Sequence, residues 1–200
     1  MKVEKKVYYK NRQQSQREIE NLWREFAGCK KVLDIGCGVG SFGKYKPQGT
    51  EVYGLDIDSG AIRDAKKYEI AQLGDLTKKL PYKSNFFGGV LAKDILEHLI
   101  EPEKIVREIK RVLKTNGIVL AEVPSPGKKF YDDYTHKRAF TERAIRELFL
   151  DNGFEIAHLK RLRGFPGFGM LGLNVIVPYL LEIPGLHLLT QGYEIKAVKK

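Results

Sequence analysis

The chain has few of the residues from which small proteins build covalent or metal-centred frameworks. Its 200 residues contain two cysteines, Cys29 and Cys37, which form neither a disulfide scaffold nor a C-x-x-C metal motif. Long hydrophobic runs are absent too. The longest apolar tract, residues 170–183, is interrupted by Asn174, Pro178 and Glu182 and falls short of the ~20 residues a membrane span needs. No apolar stretch follows the Lys-rich N-terminus as in a secretory signal, so a cytoplasmic protein is expected. There is no internal repeat and no low-complexity segment. Negative charge is in the minority: 35 Lys and Arg stand against 25 Asp and Glu, a net charge of +10. The positive residues are scattered and not interleaved with aromatics, which reads as a solvated surface rather than a nucleic-acid stripe. Attraction to anionic substrates, RNA or lipid headgroups is the alternative.

What the chain does have is a run from residue 32 to 40: Val32-Leu33-Asp34-Ile35-Gly36-Cys37-Gly38-Val39-Gly40. It reads as a buried strand ending near an acid and passing into alternating glycines. Twenty residues after Gly36, Val52-Tyr53-Gly54-Leu55 ends in a second acid, Asp56. Strand, glycine turn, helix, strand and acid is how an α/β sheet presents backbone to a nucleotide-like ligand and holds its ribose. The glycines admit two frames. Gly38 to Gly43 matches G-x-G-x-x-G, which suggests a nicotinamide or flavin cofactor, but it starts late and leaves Asp34 unexplained. The frame from Asp34 to Gly40 suits a ligand with a positively charged amino group, as in S-adenosylmethionine.

Five segments in order resemble the class I S-adenosylmethionine-dependent methyltransferases, the group of small-molecule enzymes with a seven-stranded sheet. They are residues 32–43, residues 52–58, Gly74-Asp75-Leu76 with Leu80-Pro81-Tyr82, residues 86–99, and residues 113–120. The chain departs from the pattern at Gly88, where members carry an acid, and residues 161–191 have no match. The resemblance implies a Rossmann-like, doubly wound α/β fold: a mostly parallel seven-stranded sheet with an antiparallel last strand. It also implies roles. Asp34, Gly36, Gly38 and Gly40 would surround the methionyl part of S-adenosylmethionine, Asp56 would hold the ribose, and Ile57 would pack on the adenine. Asp75 and Leu76 would read the adenine edge, and Lys93 would offer backbone near the amine. S-adenosylhomocysteine would be the product.

Periodicity supplies the elements. Ile19, Leu22, Trp23 and Phe26 recur at helical spacing, predicting an amphipathic helix over residues 11–27. Asp58 or Ser59 caps the next helix. Residues 75–85 are too polar and short for a crossover helix. Glu101-Pro102 opens a helix with the buried stripe Ile105, Val106, Ile109, Val112 and Leu113, which Asn116-Gly117 ends. Thr141 caps a helix stopping at Gly153, and residues 154–160 and 193–198 alternate as strands six and seven. The whole reads as one methyltransferase domain over residues 1–200. Residues 1–30 form an N-terminal arm and helix, in which Tyr8-Tyr9 close over the cofactor. Residues 164–190 form an apolar insertion that covers the acceptor, packs on the domain or makes a homodimer surface.

After strand four the chain reads Lys93-Asp94-Ile95-Leu96. It lacks the Asn/Asp-Pro-Pro-aromatic arrangement that grips an exocyclic amine and the Pro-Cys pair that attacks a pyrimidine. Asp94, Glu97 and His98 share a face at i, i+3, i+4, and His136 lies in the loop after strand five. That D-x-x-E-H spacing is similar to the E-x-x-E-H of two metal-using groups, the small-RNA 2′-O-methyltransferases and the polyprenol-catechol O-methyltransferases. The preferred reading has no metal, with His98 or His136 as wall or general base. Arg138 either faces an anionic substrate or braces its loop. The expected acceptor is a small molecule, apolar or anionic. The alternatives are a metal-assisted or RNA O-methyltransferase and a non-catalytic cofactor-binding partner subunit.

Overall fold

The computed structural model describes residues 15–162 and 190–200. Tyr8-Tyr9 and the insertion up to residue 189 lie outside the described residues. Seven strands, β1 (Lys31–Ile35), β2 (Glu51–Asp56), β3 (Ile70–Leu73), β4 (Phe87–Lys93), β5 (Leu113–Pro124), β6 (Phe154–Leu162) and β7 (Gly192–Lys199), form one sheet. Its order is β3-β2-β1-β4-β5-β7-β6. Neighbours among β1 to β5 pair in parallel, and β7 runs antiparallel to both β5 and β6. This is the sheet expected from the sequence.

Among the described residues six α-helices accompany the strands: α1 (Gln16–Glu25), α2 (Ser41–Lys44), α3 (Ser59–Ala65), α4 (Pro102–Val112), α5 (Lys128–Tyr131) and α6 (Glu142–Asp151). Alternation along the strands sorts side chains to two faces. Leu33, Ile35, Leu55, Val90, Val119 and Ile195 meet the stripes of α4 and α6. Val32, Val52, Leu91 and Leu120 meet Ile19, Leu22, Trp23 and Phe26 of α1. Ser15 starts α1 with a reciprocal capping box: Glu18 N–H donates to its Oγ at 3.3 Å, and its own N–H donates to Glu18 Oε2 at 2.9 Å. Asp58 caps α3 by accepting from Gly60 and Ala61 N–H. Thr141 caps α6 by accepting from Ala144 N–H. Among the described residues no helix is long and apolar enough to cross a membrane.

Two helix boundaries differ from the sequence reading: α1 begins after its cap at Ser15 rather than at residue 11, and α4 ends early. Helix α4 stops at Val112 rather than at Asn116-Gly117, because Leu113 turns extended and pairs with Phe87 of β4. Asn116, at φ 60, makes the tight return inside the start of β5. The turn residues were rightly read as a turn, but the turn belongs to the strand. Residues 74–86 contain no helix, as expected. Their closing hardware is Arg111, which donates to the carbonyls of Tyr82 (2.7 Å) and Leu80 (3.0 Å), beside Glu108, which accepts from Leu80 N–H.

The chain leaves β1 towards β2 on one side and reaches β4 on the other. The crevice outside the carboxyl ends of β1 and β4 is therefore the switch point where open α/β sheets bind ligands.

Candidate functional site

The glycine turn occupies that switch point. Gly36 adopts φ 73, and a Cβ there would lie 2.9 Å from Ile95 Cδ1. Gly40 adopts φ 77 at the start of α2, where a Cβ would come within 2.8 Å of the Ala65 backbone. Both positions need glycine for conformation and for closeness. Gly36 N–H donates to Leu55 O at 2.7 Å, tying the turn to β2. Asp56, 7% exposed, takes Gly38 N–H on Oδ2 at 2.9 Å and Asp58 N–H on Oδ1 at 2.8 Å. A carboxylate has about four acceptor sites, so two remain for a ligand. Ile57, next in sequence, is 70% exposed. Gly74 N–H donates to Asp56 O at 2.9 Å, which brings Asp75 and Leu76 to the same edge. Asp75 caps its own turn, accepting from Thr77 Oγ1 and N; these bonds hold its carboxyl below the usual range.

Beneath the turn lies a group that sequence reasoning missed. Glu69, just before β3, is buried, and its Oε1 accepts from Gly43 N–H at 2.9 Å. Cβ atoms at Gly43 or Gly54 would fall 2.2 Å from its side chain, so those glycines make its chamber. Burial pushes its carboxyl up to about 7. Asp34 is also buried, and burial followed by the neighbouring Glu69 and Asp56 carboxylates raises it well above the ordinary value. The only outward signal was glycine at 43 and 54.

Beyond β4, Lys93 pairs with Glu122 of β5 and lies 3.6 Å from Asp94. Asp94 adopts φ 49, and its N–H donates to Glu122 O. Residues Leu96–His98 then form a 3-10 turn. The expected shared face of Asp94, Glu97 and His98 is not formed, since the segment is not α-helical and Asp94 turns towards Lys93. Instead Glu97, His98 and His136 come together, each with a ligand atom within 4.8 Å of the others. The loop from β5 is pinned there by Lys137 and Arg138 N–H groups, which donate to Glu97 O at 2.7 and 3.1 Å. Arg138 thus braces its loop through its backbone. The His98 and His136 rings stand edge to face, 4.7 Å apart. Each Nδ1 faces a backbone carbonyl, Thr135 O at 3.3 Å for His98 and Phe130 O at 2.7 Å for His136. A carbonyl only accepts, so both Nδ1 atoms carry the proton.

A family model described as "Methyltransferase domain" matches residues 33–121. An uncharacterized protein of Methanocaldococcus jannaschii is 28% identical over 171 residues, which cover 82% of this chain and 73% of that protein. Phosphoethanolamine N-methyltransferase 3 of Arabidopsis thaliana is 28% identical over 145 residues, 63% of this chain but only 29% of the plant enzyme. The crystal structure of a SAM-dependent methyltransferase from Archaeoglobus fulgidus superposes with a TM-score of 0.79 at 21% identity, over 98% of this chain and 100% of that one. At that identity the likeness is one of fold.

Proposed function

This chain belongs to the class I S-adenosylmethionine-dependent methyltransferases, and we propose from that premise that it methylates a small molecule held between residues 94–98 and the loop carrying His136. The observation that carries the reading is the joint placement of the Asp56-braced glycine turn and the Glu97–His98 turn, locked together where Ile95 packs on Gly36. Asp34, Gly36, Gly38 and Gly40 surround the methionyl end, whose ammonium suits the acidic floor. Asp56 accepts from the ribose hydroxyls, Ile57 covers the adenine, Asp75 and Leu76 lie at its edge, and Lys93 offers backbone near the amine. Methyl transfer is an in-line displacement in which the cofactor supplies the electrophile. The protein's share is alignment and, for an acceptor bearing a proton, its removal. His98 and His136 serve the acceptor side, where an imidazole can take up a proton.

Calorimetric titration with S-adenosylhomocysteine and, separately, NAD tests the cofactor assignment. Wild type should bind the first and ignore the second. Asp56→Ala should lower S-adenosylhomocysteine affinity at least a hundredfold, since two charge-assisted hydrogen bonds are worth about 1.5–3 kcal/mol each. It should also cost ~1–2 kcal/mol of stability, because Gly38 and Asp58 N–H lose their acceptor. A wild type that takes NAD and leaves S-adenosylhomocysteine alone refutes the assignment.

A further inference from the structure

Three carboxyl groups converge beneath the glycine turn: Asp34 of β1, Asp56 at the end of β2 and Glu69 just before β3, which are 5%, 7% and 6% exposed. Asp56 is held by the N–H groups of Gly38 and Asp58. Glu69 has one oxygen engaged and one not. Its Oε1 accepts from Gly43 N–H at 2.9 Å, whereas the buried Oε2 has no hydrogen-bond partner among the described residues. That oxygen points into the cluster: a Cβ on Gly54 would fall 2.2 Å from it and 2.9 Å from Cys37 Sγ. The Cys37 thiol does not serve it, because its S–H lies towards Gly38 O at 3.7 Å. As a carboxylate, Glu69 would keep a charged oxygen buried with no donor. As a carboxylic acid it carries its hydrogen on Oε2 and leaves Oε1 as the acceptor for Gly43.

We propose that Glu69 is a positioning residue for the cofactor: it holds a proton on Oε2 beneath the glycine turn, and the cofactor's ammonium displaces that proton by way of Asp34. The inference rests on the methyltransferase reading above, which sets the ammonium against Asp34. Clustered carboxylates do not all ionise without a cation to balance them. The proton is that cation before the cofactor binds, and the ammonium takes its place afterwards. The step balances: the ammonium enters charged, the Glu69 O–H bond breaks, and the proton passes to the buffer. The other groups around Glu69 do not supply the charge. Burial, followed by the Asp34, Glu69 and Asp56 carboxylates, pushes the Cys37 thiol up and keeps it neutral. Burial pushes the Tyr82 phenol, from the loop after β3, up to about 12. Helix α3 presents Ile62 and Ala65, and β3 presents Ala71. Lys46, beyond α2, lowers Glu69 least of its neighbours, and its Nζ is tied to Tyr68 O at 2.6 Å. Burial leaves Glu69 at about 7, so the exchange falls in the neutral range. A ligand that prefers the deprotonated form binds more tightly as pH rises through that value.

The test counts protons. Calorimetric titration with S-adenosylhomocysteine, which carries the ammonium, is run in two buffers of different ionisation enthalpy between pH 6 and pH 8. Methylthioadenosine, which lacks the amino-acid end, is the control. Wild type should release about 0.5–0.8 proton per S-adenosylhomocysteine at pH 6.5 and less than about 0.2 at pH 8. Its affinity should rise about five- to tenfold from pH 6 to pH 8. Methylthioadenosine should release none. Glu69→Gln keeps an acceptor for Gly43 N–H and cannot ionise. Its proton release should be at least halved at pH 6.5, and its affinity should change less than about twofold across the range. A Glu69 that only braced the turn would, when replaced, weaken binding equally at every pH. The wild-type proton count and pH profile decide the matter even if Glu69→Gln does not fold. Binding without proton release at pH 6.5, or release undiminished in Glu69→Gln, overturns the inference and leaves the methyltransferase reading standing. A wild type that binds neither ligand brings down both.

Discussion

Glu69 stands between Tyr68 and Ile70 with nothing nearby in sequence to mark it, yet its carboxylate fills a chamber left by two distant glycines. Burial raises it from 4.5 to about 7. Between those values the folded chain holds a proton that the unfolded chain has lost, so stability falls as pH rises through this window. The sign is the reverse of that for a salt-bridged carboxylate. The part due to Glu69 is on the order of 3 kcal/mol between pH 4.5 and 8. Glu69→Gln keeps an acceptor for Gly43 N–H and removes the ionisation. The difference in melting temperature between variant and wild type should therefore shift towards the variant by several degrees from pH 5 to pH 8. Thermal denaturation across that range checks it, and a pH-independent difference would show that Glu69 titrates as an ordinary exposed acid. Residues of this kind were not legible beforehand, because their environment is made by long-range packing. Asp34, Gly36, Gly38, Gly40 and Asp56 were legible, because a strand running into glycines and a second strand ending in an acid already constrain backbone and charge locally. Glu97, His98 and His136 were readable as candidates. Their convergence without Asp94 was not, since it depends on a 3-10 turn and on Lys137 and Arg138 docking to Glu97 O.

Among the elements, α1 shows how a helix can hold the glycine turn from a distance. Its apolar spacing was plain in the sequence, but the partner of that stripe was not. Trp23 stacks on Phe42 of α2 with ring centroids 4.0 Å apart, and its Nε1–H donates to Phe42 O at 3.0 Å. Phe42 follows Gly40 by two residues, so α1 anchors the exit of the glycine turn. Trp23→Ala should cost about 3–5 kcal/mol in denaturant unfolding, the usual range for a buried aromatic. Trp23→Phe retains most of the stacking area but leaves Phe42 O without its donor, at about 1–2 kcal/mol. The Ala variant, assayed where it is still folded, should also bind S-adenosylhomocysteine several-fold more weakly. Equal losses for the two variants would mean that the hydrogen bond, not the stacking, anchors α2. The α4 boundary teaches the complementary lesson: Asn116-Gly117 signals a turn, but only the pairing of Leu113 with Phe87 decides that the helix has ended four residues earlier.

At the scale of the molecule, the last strand in the chain lies inside the sheet, not at its edge. Strand β7 separates β5 from β6 and pairs with both along most of its length. Ile195 and Ala197 are fully buried in the same cluster as Ile145 and Phe149 of α6. Strand β6 therefore meets the rest of the sheet through β7. Removing residues 190–200 would leave β5 with an open apolar edge and β6 with no described partner, a loss comparable to the whole stability of a domain, about 5–15 kcal/mol. The truncated chain should fail to unfold cooperatively in denaturant and should aggregate. A milder variant, Ile195→Ala, should cost about 2–4 kcal/mol. The glycine turn, Asp56 and Asp75 lie at or just beyond the ends of β1, β2 and β3, across β4 and β5 from β7. Ile195→Ala should consequently keep S-adenosylhomocysteine affinity within about twofold, as expected for distant sites that share no partner. A truncated chain that unfolds with the wild-type midpoint, or an Ile195→Ala protein that is folded yet no longer binds S-adenosylhomocysteine, would show that the two halves of the sheet are not arranged in this division of labour.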